Sequence, residues 1–308
     1  MTIVYLDAWA VERADLSPLR AVGTLVLYDQ TDPEQIGERI READVVITNK
    51  VRITETVLAD ATALRLVIAS ATGMDHIDRD ACRAHGVHAT NVEDYATESV
   101  AQHTLAAALQ LRFRLAERSR YVGDGSYSRS GRWTHPRPSW RELDGSWGII
   151  GLGAIGRRVG ELARAFGCET KFFSASGPRD EPNFEQLPLG ELLQTCAVVS
   201  VHAPGVPRYR NLLDADAIAR LSPSSVLVVM GRGGTVDEAA AARALRAGRL
   251  GGAAFDVFDE EPPAASNPLL AEDLADRVLL SPHMAWTSEQ ALARLVRGLV
   301  ERIEQHAT

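Results

Sequence analysis

The stretch Trp147-Gly148-Ile149-Ile150-Gly151-Leu152-Gly153-Ala154-Ile155-Gly156 decides the fold. An apolar run enters Gly151, Gly153 and Gly156 in the spacing G-x-G-x-x-G, which lets a backbone turn tightly after a strand, approach a pyrophosphate closely and open a helix beneath it. The residues that follow agree with such a helix. From Arg157 to Phe166 the apolar positions Val159, Leu162, Ala163 and Phe166 fall three or four apart, Gly167 supplies a C-terminal stop, and Glu169–Phe173 resumes as a strand. Alone, this glycine pattern could be an ordinary turn; set between strand and helix, it predicts dinucleotide binding.

Outward from this turn, Ala197–His202, Ser225–Met230, Gly252–Val257 and Val278–Ser281 read as further buried strands, giving a sheet of about six. Upstream, Ile3–Leu6, Thr24–Tyr28, Val45–Asn49, Leu66–Ala69 and Val87–Asn91 are short β-rich runs separated by helical stretches such as Pro33–Ala43 and Thr54–Ala59. That alternation predicts a second parallel α/β sheet, complete by about Asp94. Thr97–Arg114 reads as a helix crossing between domains, capped by Thr97 or Ser99. The last helix, Ser288–Gln305, follows the second domain or returns to pack on the first; the sequence leaves both open. Tyr121–Arg141 has no clear period and reads as a long loop. Its Trp133, His135, Arg137 and Trp140 suit a ligand, but dimer packing is the preferred reading, since aromatics and arginine are enriched at interfaces.

A chain of 308 residues with 45% apolar content suits two globular domains, and a net charge of -8 without a basic block argues against nucleic acid or an anionic membrane as partner. Cys82, Cys168 and Cys196 lie far apart, which predicts reduced core thiols rather than disulfides or a metal site. No run approaches the length of a membrane span and the N-terminus lacks a signal peptide's basic region, so a cytoplasmic protein working on a small molecule is expected.

Three later strand ends carry polar groups where an open α/β sheet places its ligands: Gly231-Arg232-Gly233-Gly234, Asp256-Val257-Phe258-Asp259-Glu260-Glu261-Pro262 and Ser281-Pro282-His283-Met284-Ala285-Trp286. Singly, Arg232 could be a surface arginine, Glu261 a solvated acid and His283 a satisfied histidine beside a turn. In order, G-L-G-A-I-G, G-R-G-G-T-V-D-E, D-V-F-D-E-E-P and S-P-H-M-A-W resemble the D-isomer-specific 2-hydroxyacid dehydrogenase family, in its glycerate dehydrogenase and hydroxypyruvate reductase branch. Ile47–Val51, Ala71–Asp78 and Ser99–Thr104 also match, so the resemblance spans nearly the whole chain.

The resemblance implies two Rossmann-like, doubly wound parallel-sheet domains with the active site in the cleft between them: a substrate-binding domain from 1–94 plus 287–308, a dinucleotide domain over 95–286, and a homodimer. It places the family's catalytic arginine, glutamate and histidine on Arg232, Glu261 and His283. The chemistry is coherent. A guanidinium fork can hold the carboxylate and carbonyl of a 2-keto acid, an imidazolium can give the carbonyl oxygen its proton, and a carboxylate on the ring favours the charged imidazolium. Thr72 and Gly73 match a loop that holds the substrate carboxylate. Asp256 matches an aspartate near the nicotinamide. The expected cofactor set is Gly151, Gly153, Ala154, Ile155, Gly156, Ser174, Ser176, Arg179, Ala203, Pro204, Met230, Gly231, Asp256 and Ala285.

Where NAD-binding members of the fold carry an acid for the ribose 2′-OH, the end of Glu169–Phe173 presents Ser174, followed by Ser176 and Arg179. This predicts NADPH, with NADH possible; alternatively Arg179 merely pairs with Asp180 or Glu181. The family's frequent asparagine three residues before the arginine is Val229, and Gly231 directly precedes it, which predicts a softer loop. Arg52, where relatives often carry proline, could receive a second anionic group or be a solvated surface arginine. Trp286 resembles the branch acting on glyoxylate and hydroxypyruvate, or is simply a wall. A dinucleotide-sensing regulator on the same fold, like the corepressors resembling C-terminal-binding protein, is the rival reading; the short stretch after the last helix argues against it. A methyltransferase would leave the Arg, Glu and His motifs unexplained.

Overall fold

The computed structural model describes residues 1–135 and 139–306. Arg137 and the end of the chain, both used above, lie outside the described residues. The chain divides into two compact units, one formed by Met1–Ser99 with the C-terminal stretch from Trp286, the other by Val100–Ala285.

The first unit is built on a five-stranded sheet: β1 (Thr2–Tyr5), β2 (Thr24–Leu27), β3 (Val45–Thr48), β4 (Leu66–Ala69) and β5 (His88–Asn91), in the order β2-β1-β3-β4-β5. Every pairing is parallel. Val45–Thr48 and Leu66–Ala69 are buried throughout, which is why they read as continuous apolar runs: strands covered on both faces have no side to leave polar. The helix Glu289–His306 belongs to this unit and buries Ala291, Leu292, Leu295, Val296, Leu299 and Ile303, one stripe of a 3.6-residue period. Arg294 Nε donates to Tyr95 O at 2.8 Å and Arg302 Nε to Asn91 O at 3.1 Å. Gly298 sits so close to Val92 that a Cβ would stand 2.4 Å from its Cγ1. The last helix therefore returns to the first unit.

The second unit holds seven parallel strands, one more than expected: β6 (Ser146–Ile150), β7 (Glu169–Phe173), β8 (Glu185–Gln186), β9 (Val198–Val201), β10 (Val226–Val229), β11 (Gly252–Phe255) and β12 (Val278–Leu280). The addition, β8, is two residues long and pairs only Lys171 with Glu185 and Phe172 with Gln186, too short to carry a periodic signal. The order β12-β11-β10-β9-β6-β7-β8 runs outward in both directions from the β6–β9 pair. That pair is the point where the winding reverses, the position at which open α/β sheets bind ligands, and the glycine turn leaves β6 there.

The segment read as a loop is partly helical, with helices at Leu115–Gly123 and Ser126–Ser130. Their limits are set by local punctuation rather than by an apolar stripe: Gly125 and Gly131 have φ of 78° and 62°, and Asp124 Oδ1 accepts from Ser126 N at 2.7 Å. Tyr121 stacks on His135 at 4.0 Å and Phe113 on Trp140 at 4.7 Å, while Leu115, Val122 and Trp133 remain exposed. All three cysteines are free and buried, and among the described residues no helix is long and apolar enough to cross a membrane.

Candidate active site

The glycine turn is fixed by packing. Gly151 has φ of 93°, and a Cβ on it would lie 2.9 Å from the backbone N and Cα of Ala203; one on Gly156 would lie 2.3 Å from Gly151 O. A Cβ on Gly153 would meet open space, and this residue is the exposed N-cap of the helix Ala154–Ala165. Across the same sheet end, a Cβ on Gly231 would lie 2.7 Å from Ala203 O. Gly151, Ala203 and Gly231, each following a different strand, are thus brought together, with Ala203 and Met230 buried and Pro204 exposed beside them. An open N-cap at the point where the winding reverses, rimmed by close-packed backbone, fits a dinucleotide pyrophosphate. The loop carrying Arg232 is correspondingly firm rather than soft. Thr235 Oγ1 donates to Arg232 O at 3.0 Å, and a Cβ on Gly233 would overlap Phe258 O at 1.7 Å.

At the end of β7, Ser174 is buried and its Oγ accepts from Ser176 N at 3.2 Å. Arg179 gives Nη1 to Leu152 O at 3.1 Å and pairs through Nη2 with Glu181 at 2.9 Å, the alternative weighed for it from the sequence. Arg157 closes on both oxygens of the same carboxylate and, with Arg179, holds the Glu181 carboxyl below its usual range. Sequence reasoning missed Arg208, whose Nη1 reaches Ser176 Oγ at 3.3 Å from a turn beyond β9.

The strand ends after β11 and β12 bring Glu261 and His283 together, Oε2 to Nδ1 at 2.7 Å, with side chains 31% and 23% exposed. The other carboxylate oxygen accepts from Phe258 N at 3.1 Å, which fixes the glutamate. His283 itself has φ of 50°, a conformation that must be imposed from outside on a non-glycine residue, and its N donates to Asp256 O at 2.8 Å. Asp256, 1% exposed, imposes it. Its Oδ1 accepts from Ser281 Oγ at 2.6 Å and Met284 N at 2.9 Å, and its Oδ2 from Ala285 N at 3.0 Å. The residue read as a nicotinamide contact is also the clamp of the histidine loop. His103 extends the network, its Nε2 3.3 Å from Ser281 Oγ. With Nδ1 engaged by Glu261, Nε2 of His283 is the atom able to exchange a proton with a ligand. Arg232 is half-buried on the neighbouring loop and gives Nη1 to Gly231 O at 3.1 Å.

In the first unit Arg52 is exposed on the loop after β3, and Thr72 and Gly73 lie on the loop after β4. The bridge between Ile53 and Ile77, with Ile53 N bonded to His76 O at 3.0 Å, ties these loops side by side. Asp7, also missed, anchors the Arg52 loop: its buried carboxylate accepts from the backbone N of Asn49, Lys50 and Val51 at 2.8, 2.6 and 3.3 Å. Its signal was present as a lone acid closing the apolar strand at Tyr5-Leu6-Asp7.

Comparison with known proteins shows the family. Residues 105–285 match the family model for the D-isomer specific 2-hydroxyacid dehydrogenase NAD binding domain. The chain is 32% identical to the glycerate dehydrogenase of Methylorubrum extorquens, over 90% of this chain and 87% of that protein. It is 29% identical to the hydroxypyruvate reductase of Blautia hydrogenotrophica, over 99% and 96%. Among solved structures, an NADPH-dependent glyoxylate/hydroxypyruvate reductase of Sinorhizobium meliloti in complex with NADP and malonate superposes with a TM-score of 0.82 at 26% identity, over 98% of this chain and 92% of that one.

Proposed function

Because the chain belongs to the D-isomer-specific 2-hydroxyacid dehydrogenases, we propose that it reduces a small 2-keto acid, of the glyoxylate or hydroxypyruvate kind, to the D-2-hydroxy acid, using NADPH in preference to NADH. The observation that carries this reading is the 2.7 Å pair of His283 and Glu261, clamped through Asp256 on the sheet that also presents the glycine turn.

The residues fit a nicotinamide dinucleotide: Gly151, Gly153, Ala154, Ile155 and Gly156 would take its pyrophosphate, Ser174 and Ser176 its adenosine ribose, and Ala203, Pro204, Met230, Gly231, Asp256 and Ala285 would line the rest. When bound, it supplies a hydride to the keto carbon. Arg232 presents a planar fork to the carboxylate and carbonyl of the acid, orienting it and drawing electron density toward the carbonyl oxygen. His283 gives that oxygen its proton from Nε2, while Glu261 on Nδ1 balances the charge of the imidazolium before transfer. Atoms balance: carbon gains the hydride and oxygen the proton.

The resemblance supports assigning Thr72 and Gly73 to the substrate carboxylate; Arg52 departs from the family pattern, and its exposure on a loop tied beside theirs supports assigning it to a second anionic group. The exposed Leu115, Val122 and Trp133 support a homodimer built on that segment, and three unpaired buried thiols suit the reducing cytoplasm. The test is oxidation of NADPH, with NADH in parallel, against glyoxylate, hydroxypyruvate, pyruvate, phenylpyruvate, oxaloacetate and phosphonopyruvate. Turnover on a small keto acid, faster with NADPH, is expected. Tight NADPH binding with no turnover on any of them would replace this reading with the sensing role.

A further inference from the structure

We infer that Arg208, rather than Arg179, is the residue through which this chain recognises the 2′-phosphate of NADPH; the inference rests on the reading of the end of β7 as the adenosine-ribose subsite. Two arginines are candidates, Arg208, which reaches Ser176 Oγ, and Arg179, which follows Ser176 three residues on in the chain, and they differ in what already holds them. Arg179 is committed: Nη2 to Glu181 at 2.9 Å, Nη1 to Leu152 O at 3.1 Å. Glu181 in turn takes the fork of Arg157, so these three residues form a closed cluster in which the Arg179 guanidinium is already directed to Glu181 and Leu152 O.

Arg208 stands differently. Its Nη1 donates only a 3.3 Å bond to the neutral Ser176 Oγ, its side chain is exposed, and among the described residues no carboxylate pairs with it. The short turn that carries it, Pro207–Tyr209, is pinned to the same stretch, because the buried Tyr209 accepts from Ala175 N through its hydroxyl at 3.3 Å. A guanidinium on a pinned turn, beside the Ser176 hydroxyl and with no carboxylate paired to it among the described residues, is a donor set for a phosphate dianion, and a 2′-hydroxyl leaves most of it unused.

The probes are adenosine 2′,5′-bisphosphate and 5′-AMP, which differ only in the 2′-phosphate, titrated calorimetrically into the full-length protein. Wild type is expected to bind the bisphosphate about tenfold or more tightly than 5′-AMP, from charge-assisted bonds. Arg208→Ala should erase most of that ratio, with the 5′-AMP affinity and the melting temperature unchanged, whereas Arg179→Ala should alter the ratio by less than about threefold. In turnover, Arg208→Ala should lower kcat/KM for NADPH alone. A wild type that discriminates, with Arg208→Ala retaining the ratio or Arg179→Ala abolishing it, overturns the assignment of Arg208 and leaves the NADPH reading standing. A wild type that binds the two nucleotides equally overturns both.

Discussion

Replacing Asp256 by asparagine separates two roles for one residue. The carboxylate is 1% exposed and takes three donors, Ser281 Oγ, Met284 N and Ala285 N, between 2.6 and 3.0 Å. Asparagine has the same shape but one acceptor oxygen. If that oxygen keeps Ser281 and Met284, the amide NH2 faces Ala285 N, donor against donor. Leaving one buried donor unmet costs about 1–3 kcal/mol, and turning two charge-assisted bonds into neutral ones removes roughly half of each. The sum is about 3 kcal/mol, a large part of the 5–15 kcal/mol typical of a domain. For a unit of this size, that corresponds to a fall of roughly 6–12 °C in melting temperature. Because the loop holds His283 at a positive φ, kcat should fall at least as far as stability would suggest, with little change in the Kd of the dinucleotide. The assay pairs urea denaturation with steady-state reduction kinetics. An Asp256→Asn protein within 1 kcal/mol of wild type, but with markedly weakened dinucleotide binding, would refute the clamp and leave only a cofactor contact.

Removing the proton donor, His283→Ala, should lower kcat by about 10²–10⁴ while leaving dinucleotide affinity within twofold, measured by fluorescence titration. Arg232→Lys keeps the charge but loses the fork, so kcat/KM should fall by about tenfold or more; near-normal kinetics would remove the carboxylate clamp. In Gly231→Ala the new Cβ stands 2.7 Å from Ala203 O, and the backbone shift should cost about 1–3 kcal/mol in urea denaturation and weaken the dinucleotide. His202 has both ring nitrogens sealed and without partners, and burial pushes its imidazole down to about 3. The unfolded chain, with a histidine near its usual value of about 6.5, therefore binds a proton that the folded chain refuses, so stability is full above that value and falls as pH drops toward 3. The decline approaches about 1.4 kcal/mol per pH unit. His202→Asn should flatten it between pH 6 and 4.5; an unchanged slope would show that the ring titrates normally.

The fold was legible where burial is complete. Strands such as Val226–Val229 and Leu66–Ala69 are covered on both faces, so apolar runs separated by helices locate them almost to the residue. What escaped was structure not made by burial. β8 is held by two pairs of residues to the edge of β7, and the helices Leu115–Gly123 and Ser126–Ser130 are delimited by caps and glycines. Neither leaves a period in the sequence.

The candidate site divides in a similar way. Strand ends are fixed by the strands, so the loops carrying Arg232, Glu261 and His283 could be placed from their motifs, whereas the state of each charge depends on which partner arrives from elsewhere. Asp256 reads as a cofactor contact until Ser281, Met284 and Ala285 return to it 25–29 residues later. Arg179 reads as an available cation because it follows β7 closely, yet Glu181 lies two residues on, and Arg157, 24 residues back from that glutamate, fixes the acid in place. Arg208 comes to the same stretch from 32 residues beyond Ser176, with no carboxylate paired to it among the described residues. Nearness along the chain selects the arginine that is already engaged. The guanidinium without a paired carboxylate among the described residues, which is what an anionic ligand can use, is delivered by β9, which returns to the sheet on the other side of β6 from β7.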